Sequence, residues 1–230
     1  MPLAELIQGG KLLIAVAADI EARAVIAATP MHAPDPLPQW QLIPLTATTD
    51  LVITGVGKAP AAGAVARVLN ASHKLVLSTG IAGTYGHLPL LATIAATHSI
   101  LADEGVATPT GFDDLTALGF APSPHGLHIP TDPRALEALR PHCTHTGPIA
   151  TVSTCSGTDT LARAVSTRTG ALAEAMEGAA VALVAERLSV PFAELRVISN
   201  TTGDRPNQTW RMREALSTLT SVIGSVLKGV

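Results

Sequence analysis

The residues best suited to chemistry are two carboxylates and one amide, each placed where a mostly apolar run ends or begins. Glu21 follows the run 11–17, Asn200 follows the run 192–199, and Glu177 directly precedes an apolar segment. One free acid suits general-base catalysis, while a second carboxylate can accept hydrogen bonds from substrate hydroxyls. These residue types therefore predict an enzyme that acts on a polyhydroxylated small molecule.

Glu177 opens a stretch that contains no polar side chain between positions 179 and 185. Because a helix without a polar face is a buried helix, we expect a buried helix with Glu177, and as a second candidate Glu174, in its first turn. A buried carboxylate needs donors, which either the backbone amides of the helix start or a binding pocket could supply. Arg196 lies in a largely apolar strand and is expected to pair with a carboxylate, Glu174 being the candidate.

Apolar runs of strand length alternate with helical patterns through most of the chain. The strand patterns cover residues 11–17, 50–54, 74–78, 92–100, 149–153 and 192–199. The helical patterns cover residues 22–28, 60–69, a segment that begins near 159, the segment after Glu177, and residues 207–227 with Trp210 in the first turn. Continuous apolar runs are typical of central strands covered on both faces. The pattern predicts a three-layer α/β fold, in which helices flank a mixed, mostly parallel central sheet and residues 1–230 form a single domain.

Small residues cluster at 55–58, 79–83 and 154–158, in each case where a predicted strand ends. None of these turns is the GxGxxG fingerprint or the Walker motif. Because open α/β sheets bind ligands beyond the carboxyl ends of their strands, we expect substrate contacts at these turns and beside Glu177. The candidate substrate-binding residues are Ile81, Ala82, Gly83, Gly157 and Thr158, together with Met176, which either fills the core or lies against the ligand.

Composition excludes several classes of partner. A net charge of −3 provides no electrostatic footprint for nucleic acid or an anionic membrane. The sequence shows neither a basic signal-peptide start nor the roughly 18 apolar residues that a membrane helix needs, so a cytoplasmic protein is expected. Cys143 and Cys155 fit neither a disulfide framework nor a zinc motif. We therefore expect both cysteines to be buried free thiols. The histidines also lack a metal-ligand spacing, so we expect no metal.

Several motifs together resemble the nucleoside phosphorylase/nucleosidase superfamily. They are, in chain order, Glu21, Gly55-Val56-Gly57-Lys58, Thr79-Gly80-Ile81-Ala82-Gly83, Met176-Glu177-Gly178-Ala179-Ala180 and Arg196-Val197-Ile198-Ser199-Asn200. The resemblance extends over nearly the whole chain, and the last two motifs are its most specific part. It implies a nucleoside phosphorylase-like fold, a small-molecule nucleoside substrate, no metal or organic cofactor, and a homodimer.

Departures from the phosphorylases of that superfamily favour hydrolysis. Related hexameric phosphorylases carry a phosphate loop where this chain has Ala18-Asp19-Ile20-Glu21, and an Arg and a Ser where Ser78 and Ile81 stand. Without the guanidinium, a phosphate dianion lacks its strongest expected partner. The resemblance to the hydrolytic branch implies that Glu21 activates water and that Glu177 binds ribose hydroxyls and stabilises oxocarbenium charge.

Asn200 bears on the choice of base. Nucleosidases for methylthioadenosine and S-adenosylhomocysteine end this strand in Ser-Asp, whereas the present chain has Ser199-Asn200. An amide both donates and accepts, which suits the O6 of hypoxanthine. Three further motifs resemble the family that hydrolyses futalosine: Val152-Ser153 before a Thr/Ser/Gly turn, Glu174-x-Met176-Glu177-Gly178, and Gly203-Asp204-Arg205 with Trp210. That resemblance implies a 6-oxopurine nucleosidase, which releases hypoxanthine and leaves dehypoxanthine futalosine in menaquinone biosynthesis.

Three alternatives stay open on the sequence alone. One is a methylthioadenosine/S-adenosylhomocysteine nucleosidase, which Asn200 disfavours. The second is a purine nucleoside phosphorylase, which Ser78 and Ile81 disfavour. The third is a non-catalytic nucleoside-binding protein of the same fold, which the presence of both Glu21 and Glu177 disfavours.

Overall fold

The structure is a computed structural model that describes residues 3–228. Its strands are β1 (Lys11–Val16), β2 (Leu42–Pro44), β3 (Thr49–Ile53), β4 (His73–Thr84), β5 (Thr93–Leu101), β6 (Gly105–Thr108), β7 (Gly111–Asp114), β8 (His128–Pro130), β9 (His145–Thr151), β10 (Ala173–Ala175) and β11 (Phe192–Thr201). Its α-helices are α1 (Leu3–Leu6), α2 (Asp19–Ile26), α3 (Lys58–Val68), α4 (Pro133–Leu139), α5 (Asp159–Thr169), α6 (Gly178–Arg187) and α7 (Met212–Leu227). Short 3₁₀ turns span Arg140–His142 and Arg205–Asn207.

Within residues 3–228, one central sheet contains nine strands, and β6 and β7 pair separately as a hairpin. The order is β10-β9-β5-β11-β4-β1-β3-β2, with β8 paired to β5. Strand β1 runs parallel to β3 and β4, and β4 runs parallel to β11. Strand β5 lies antiparallel to β11, and β2 lies antiparallel to β3. The predicted mixed sheet is confirmed.

Helices cover both faces of this sheet. This explains why the sequence of β1 is apolar at every position after Lys11. Leu12, Ile14 and Val16 join one core cluster with residues of α2 and α7, while Leu13 and Ala15 join another with residues of α3 and α6. Side chains of a strand alternate between the two faces of the sheet, so both faces of β1 need apolar residues. The predicted three-layer arrangement is therefore confirmed. In residues 3–228, no helix has the length and apolar character needed to cross a membrane.

The helix after Glu177 is buried as predicted, but one of its expected residues lies elsewhere. Helix α6 begins at Gly178 with Glu177 at its N-cap position. Glu174 was a candidate for the first helical turn, and that prediction is wrong, because Glu174 belongs to β10. Residues 173–175 pair in parallel with β9 and residues 173–174 pair antiparallel with β4, so their backbone groups belong to the sheet.

The small residues at 79–83 are part of a strand, which corrects the turn predicted there. Strand β4 continues to Thr84 because β11 pairs with it along this stretch and β10 pairs with Gly83 and Thr84. A glycine-rich sequence lowers strand propensity, but pairing with these two neighbours overrides it. The long β4 carries Ile81, Ala82 and Gly83 along the edge where β10 and β11 end.

Helix α7 begins at Met212 rather than near residue 207, so Trp210 is not in its first turn as predicted. The preceding segment bonds instead to the end of β11. Arg211 N–H donates to the Ser199 carbonyl at 2.7 Å, and Thr201 N–H donates to the Thr209 carbonyl at 3.1 Å. Backbone groups used in this way are not free to form a helical turn.

Candidate active site

A cavity of about 480 Å³ opens where β1, β4, β10 and β11 end. Eight of the nine predicted site residues line it: Glu21, Ile81, Ala82, Gly83, Gly157, Met176, Glu177 and Asn200. The carboxyl ends of β1, β4 and β11 meet there because these strands are parallel neighbours, which is where α/β sheets bind ligands. The structure thus brings together residues that are up to 179 positions apart, from Glu21 to Asn200.

Thr158 is the predicted site residue that the structure places elsewhere. Its hydroxyl accepts a hydrogen bond from Leu161 N–H at 3.2 Å and caps the start of α5. Threonine is a favoured N-cap residue because its side chain satisfies an amide that has no helical partner. Within residues 3–228, Thr158 is not among those that line the cavity.

Glu21 lies in the first turn of α2, directly after β1, and is buried. Its Oε2 accepts hydrogen bonds from Ala17 N–H and Ala18 N–H, each at 3.1 Å, and its Oε1 accepts from Ile81 N–H at 2.9 Å. An ionised carboxylate offers about four acceptor positions. Three are occupied here, which leaves one for a water molecule or a substrate hydroxyl in the cavity.

The pKa of the Glu21 carboxyl is raised above its ordinary value. Burial is the largest cause, and the negative charge of Glu177 adds to the rise. The positive charge of Arg196 and the N–H groups of Ile81 and Ala18 lower the pKa and offset part of it. A carboxylate with a raised pKa is a stronger base at neutral pH, so Glu21 is suited to accept a proton from water.

Arg196 is a fully buried cation beneath the cavity floor. Its Nε donates to Glu194 Oε1 at 2.9 Å, and its Nη2 donates to Ser78 Oγ at 3.1 Å and lies 3.4 Å from Glu177 Oε2. Burial lowers the pKa of Arg196, but the charges of Glu194, Glu177 and Glu21 more than offset it. The guanidinium therefore stays charged and neutralises the buried acids around it.

Two glycines allow these charged groups to approach the backbone closely. A Cβ atom on Gly80 would overlap the Glu21 carboxylate and crowd Arg196, and Gly80 also has a φ of +148°. A Cβ atom on Gly178 would overlap the carboxylate of Glu194. A side chain at either position would therefore displace the carboxylate it meets.

Glu177 points from the N-cap position of α6 into the cavity and is buried. Its Oε1 accepts a hydrogen bond from Gly57 N–H at 3.1 Å, while Oε2 faces Arg196. It makes no capping bond to its own helix within the described chain. The carboxylate is thus held by a separate loop and keeps acceptor positions for a ligand.

The loop that carries Gly57 is tied to another cavity wall. Lys58 forms an ion pair with Asp103. The second oxygen of Asp103 accepts hydrogen bonds from Ser153 N–H at 2.6 Å and Thr154 N–H at 3.4 Å. One carboxylate therefore connects Lys58, the first residue of α3 and the neighbour of Gly57, with the loop after β9. The loops after β3 and β9 both contribute residues to the cavity wall.

Glu174 is a third buried carboxylate on the cavity wall, although it was not among the predicted catalytic or substrate-binding residues. Its Oε1 accepts from Ser156 N–H at 2.8 Å, and its Oε2 accepts from Ser156 Oγ at 2.6 Å and Tyr85 OH at 2.9 Å. Burial, and then the Glu174 charge, raise the pKa of Tyr85, so the phenol stays protonated and donates. The predicted pairing of Glu174 with Arg196 is wrong, because these bonds hold Glu174 instead.

Asn200 reaches the cavity because β11 has a bulge before it. The register between β11 and β4 shifts between Ile198 and Asn200, and a bulge re-aims the side chains beside it. Asn200 Oδ1 accepts a hydrogen bond from Ser199 Oγ at 2.8 Å, and Nδ2 donates to the Thr201 carbonyl at 2.9 Å. The amide is therefore oriented and keeps one N–H and one acceptor position for a ligand.

The cavity is also lined by residues that sequence reasoning left out of the site. They are Ala17, Ala18, Ile20, Val56, Cys155, Ala175, Ser199, Arg205, Gln208, Trp210 and Met212. Ala17 and Ala18 directly follow β1, and Val56 and Arg205 lie three and four positions after the ends of β3 and β11. A position shortly after a strand end is the signal that could have identified them. The exposed apolar members of this group predict a site that accepts an apolar portion of a ligand.

The prediction that both cysteines are buried is wrong. Cys143 is half-buried and Cys155 is exposed at the cavity wall. Within residues 3–228, no group of three or more His, Cys, Asp or Glu side chains is arranged to hold a metal ion. The acids of the cavity bond instead to backbone amides, hydroxyls and Arg196.

The fold is that of nucleosidases of known structure. The chain superimposes on a 5'-methylthioadenosine/S-adenosylhomocysteine nucleosidase from Streptococcus pneumoniae with a TM-score of 0.75 at 22% identity, covering 95% of this chain and 99% of the other. It superimposes on a futalosine hydrolase mutant from Helicobacter pylori with a TM-score of 0.76 at 20% identity, covering 96% and 100%. At these identities the likeness shows a common fold.

Sequence comparison gives the class and then the family. A family model described as the phosphorylase superfamily matches residues 48–228, and this is the class of protein that the fold and cavity define. A futalosine hydrolase from Streptomyces coelicolor is 37% identical over 94% of each chain. Another from Acidothermus cellulolyticus is 39% identical over 91% of this chain and 87% of the other. The chain therefore belongs to the phosphorylase superfamily and, within it, to the futalosine hydrolase family.

Proposed function

We propose that this protein hydrolyses the N-glycosidic bond of a 6-oxopurine nucleoside, with futalosine as its substrate. The products would be hypoxanthine and dehypoxanthine futalosine, a step of menaquinone biosynthesis. The observation that carries the proposal is that Glu21, Glu177 and Asn200 line one cavity. The names of the relatives support futalosine, and the geometry supports the reaction.

Each of the three residues has a separate proposed role. Glu177 accepts hydrogen bonds from ribose hydroxyls and stabilises the positive charge that develops on the sugar. Glu21 takes a proton from water, whose oxygen forms a bond to the anomeric carbon as the bond to the purine breaks. Asn200 holds the purine as negative charge builds on it. A proton from solvent then completes the free base, and Glu21 returns the proton that it took to solvent, so that one water molecule is consumed overall.

The charges around the cavity favour water over phosphate as the nucleophile. Glu21, Glu174 and Glu177 all line the wall, and three carboxylates repel a dianion. The buried guanidinium of Arg196 is already bound to Glu194, Ser78 and Glu177. Phosphate would therefore meet repulsion beside the three acids, and Arg196 is not available as the bidentate partner that arginine usually provides.

Product analysis tests the proposed reaction. The protein is incubated with futalosine, inosine or methylthioadenosine, each with and without inorganic phosphate. Free hypoxanthine from futalosine at a rate independent of phosphate is the expected result. A sugar 1-phosphate product would establish a phosphorylase, preferred cleavage of methylthioadenosine would establish the adenine-directed alternative, and binding without any cleavage would establish a nucleoside-binding protein.

The pH profile of kcat/KM is expected to have an acid limb centred above pH 4.5. Glu21 must be ionised to accept a proton, so activity falls as pH decreases through its pKa, and burial raises that pKa above the ordinary 4.5. The profile of kcat/KM reports the free enzyme. Asp19→Asn, an exposed acid in the same helical turn, serves as the control and should leave the midpoint unchanged. A midpoint at or below pH 4.5 would contradict the role of Glu21.

Asn200→Asp is expected to reduce discrimination in favour of the 6-oxopurine. The wild-type amide can donate to O6, whereas a 6-amino group would face that donor. An unpaired buried donor costs roughly 1–3 kcal/mol, or about one to two decades in kcat/KM. The measurement compares kcat/KM for futalosine and its 6-amino counterpart in both proteins. Asn207→Asp, an exposed position outside the cavity, is the matched control. Equal rates on the two substrates in the wild type would show that Asn200 does not read the base.

We also propose a cytoplasmic homodimer. Support comes from four exposed apolar side chains that line the cavity mouth: Ile20, Val56, Trp210 and Met212. Exposed apolar groups clustered around a site are typical of surfaces that a ligand or another chain covers, and a partner chain would close over the part of this mouth that the ligand leaves exposed. Sedimentation analysis decides this point, because a monomer has a mass of 23.5 kDa and a dimer has twice that mass.

A further inference from the structure

Arg205 occupies the mouth of the cavity in a defined position. It begins the 3₁₀ turn Arg205–Asn207, and its N–H donates to the Gly157 carbonyl at 3.0 Å. Its guanidinium carbon lies 5.0 Å from the centre of the Trp210 ring, and Nη1 donates to Gln208 Oε1 at 3.0 Å. Stacking and the hydrogen bond restrict an arginine that would otherwise sample many rotamers.

Gln208 provides the support for this arrangement. Its Nε2 donates to the carbonyls of Ser156 at 3.2 Å and Gly203 at 2.9 Å, which orients the amide. Its Oε1 then accepts from both Arg205 Nη1 and, at 3.3 Å, Trp210 Nε1. The guanidinium is therefore held before any ligand arrives, so binding an anion costs less side-chain entropy.

The charge of Arg205 has no counterpart in the described part of the chain. Within residues 3–228, no carboxylate lies within ion-pair distance of Arg205, and it is the only Lys or Arg that lines the cavity. The acids of the same wall are engaged elsewhere: Glu21 with backbone amides, Glu174 with Ser156 and Tyr85, and Glu177 with Gly57 and Arg196. Arg205 thus presents an uncompensated positive charge at the mouth of an otherwise acidic cavity.

We propose that Arg205 recognises a carboxylate carried by the substrate outside its base and ribose, on an arm that lies against Trp210 and the apolar mouth. A planar guanidinium binds a carboxylate through two parallel hydrogen bonds. A singly charged carboxylate fits this cavity better than a phosphate dianion, since the wall contains three acids. The exposed Ile20, Val56 and Met212 suit an apolar linker between the sugar and that carboxylate. This inference rests on the proposed function and names the substrate group that the enzyme would read.

Paired substrates test the assignment of Arg205. One is a 5'-substituted inosine whose apolar arm ends in a carboxylate, and the other is the same compound ending in an amide. Arg205→Gln is expected to raise KM for the carboxylate compound by roughly tenfold to a hundredfold. Its KM for the amide compound should change by less than about twofold, with kcat little altered for both. Arg205→Lys keeps the charge and should recover part of the affinity.

Arg211→Gln is the matched control, because Arg211 lies near the same segment but pairs with Glu214 at 3.1 Å. It should leave both KM values unchanged. Equal losses for the two compounds in Arg205→Gln, or no loss, would overturn the inference while leaving hydrolysis established. If the wild type cleaves neither these compounds nor futalosine, the proposed function fails. Calorimetric binding of the two compounds to the wild type and to Arg205→Gln then still measures whether Arg205 prefers the carboxylate to the amide.

Discussion

Replacing Glu21 with Gln is expected to lower kcat by roughly 10²- to 10⁴-fold, the usual contribution of a general base. Glutamine can accept the Ile81 N–H with its carbonyl oxygen, but it cannot take a proton from water. The bonds to Ala17 and Ala18, made at Oε2, would meet an NH₂ group instead. Turnover of futalosine by the purified variant is the measurement, and calorimetry reports whether the variant still binds the substrate.

The control for this variant is Asp19→Asn, which removes an exposed acid from the same turn of α2. It should retain the wild-type kcat. Circular dichroism of both variants separates loss of chemistry from loss of folding. A folded Glu21→Gln protein that turns over futalosine at nearly the wild-type rate would show that another group activates the water.

Replacing Arg196 with Met is expected to reduce the free energy of unfolding by about 3–5 kcal/mol, the usual cost of removing one partner from a buried ion pair. The change would leave the carboxylates of Glu194 and Glu177 buried without the cation that neutralises them. Ser99 Oγ would still donate to Glu194, but a hydroxyl does not balance a charge. Denaturant unfolding gives the value, since the midpoint shifts while the slope stays the same.

Two further variants test whether the loss of stability in Arg196→Met arises from the burial of its ion pairs. Arg23→Gln removes an exposed pair with Asp35 and should cost less than about 1 kcal/mol. Adding Glu194→Gln to Arg196→Met should recover part of the lost stability, because one unpaired buried charge is then removed. A shift for Arg196→Met no larger than that of Arg23→Gln would mean that the buried network contributes little to folding.

The class of fold and the longer elements could be predicted from the sequence because their signals are local, whereas the short strands β6, β7, β8 and β10 and the helices α1 and α4 were not predicted. The sequence of β1 is one continuous apolar run after Lys11. Helix α5 begins at Asp159, directly after the capping residue Thr158. Glu21, Glu177 and Asn200 stood out for a similar reason, since each adjoins the end or start of an apolar segment. Parallel pairing then brought these positions to one edge of the sheet.

Other features depended on partners far away in the chain. Residues 79–83 read as a glycine-rich turn, yet hydrogen bonding to β11 and β10 makes them a strand. Glu174 was predicted to be a helical residue, but pairing of its segment with β9 and β4 makes it part of β10. Trp210 lies before α7 because its segment bonds to the end of β11.

The sequence by itself therefore determined the longer strands and helices and their alternation, the buried character of the central strands and α6, and the identity of the polar residues at the strand ends. Only the tertiary structure decided which charged groups meet: Arg196 with Glu194 and Glu177, Glu174 with Tyr85 and Ser156, and Arg205 with Trp210. The physical reason is the range of the interactions. Apolar periodicity and capping act over a few residues, whereas the partner of a buried charge depends on which strands lie side by side.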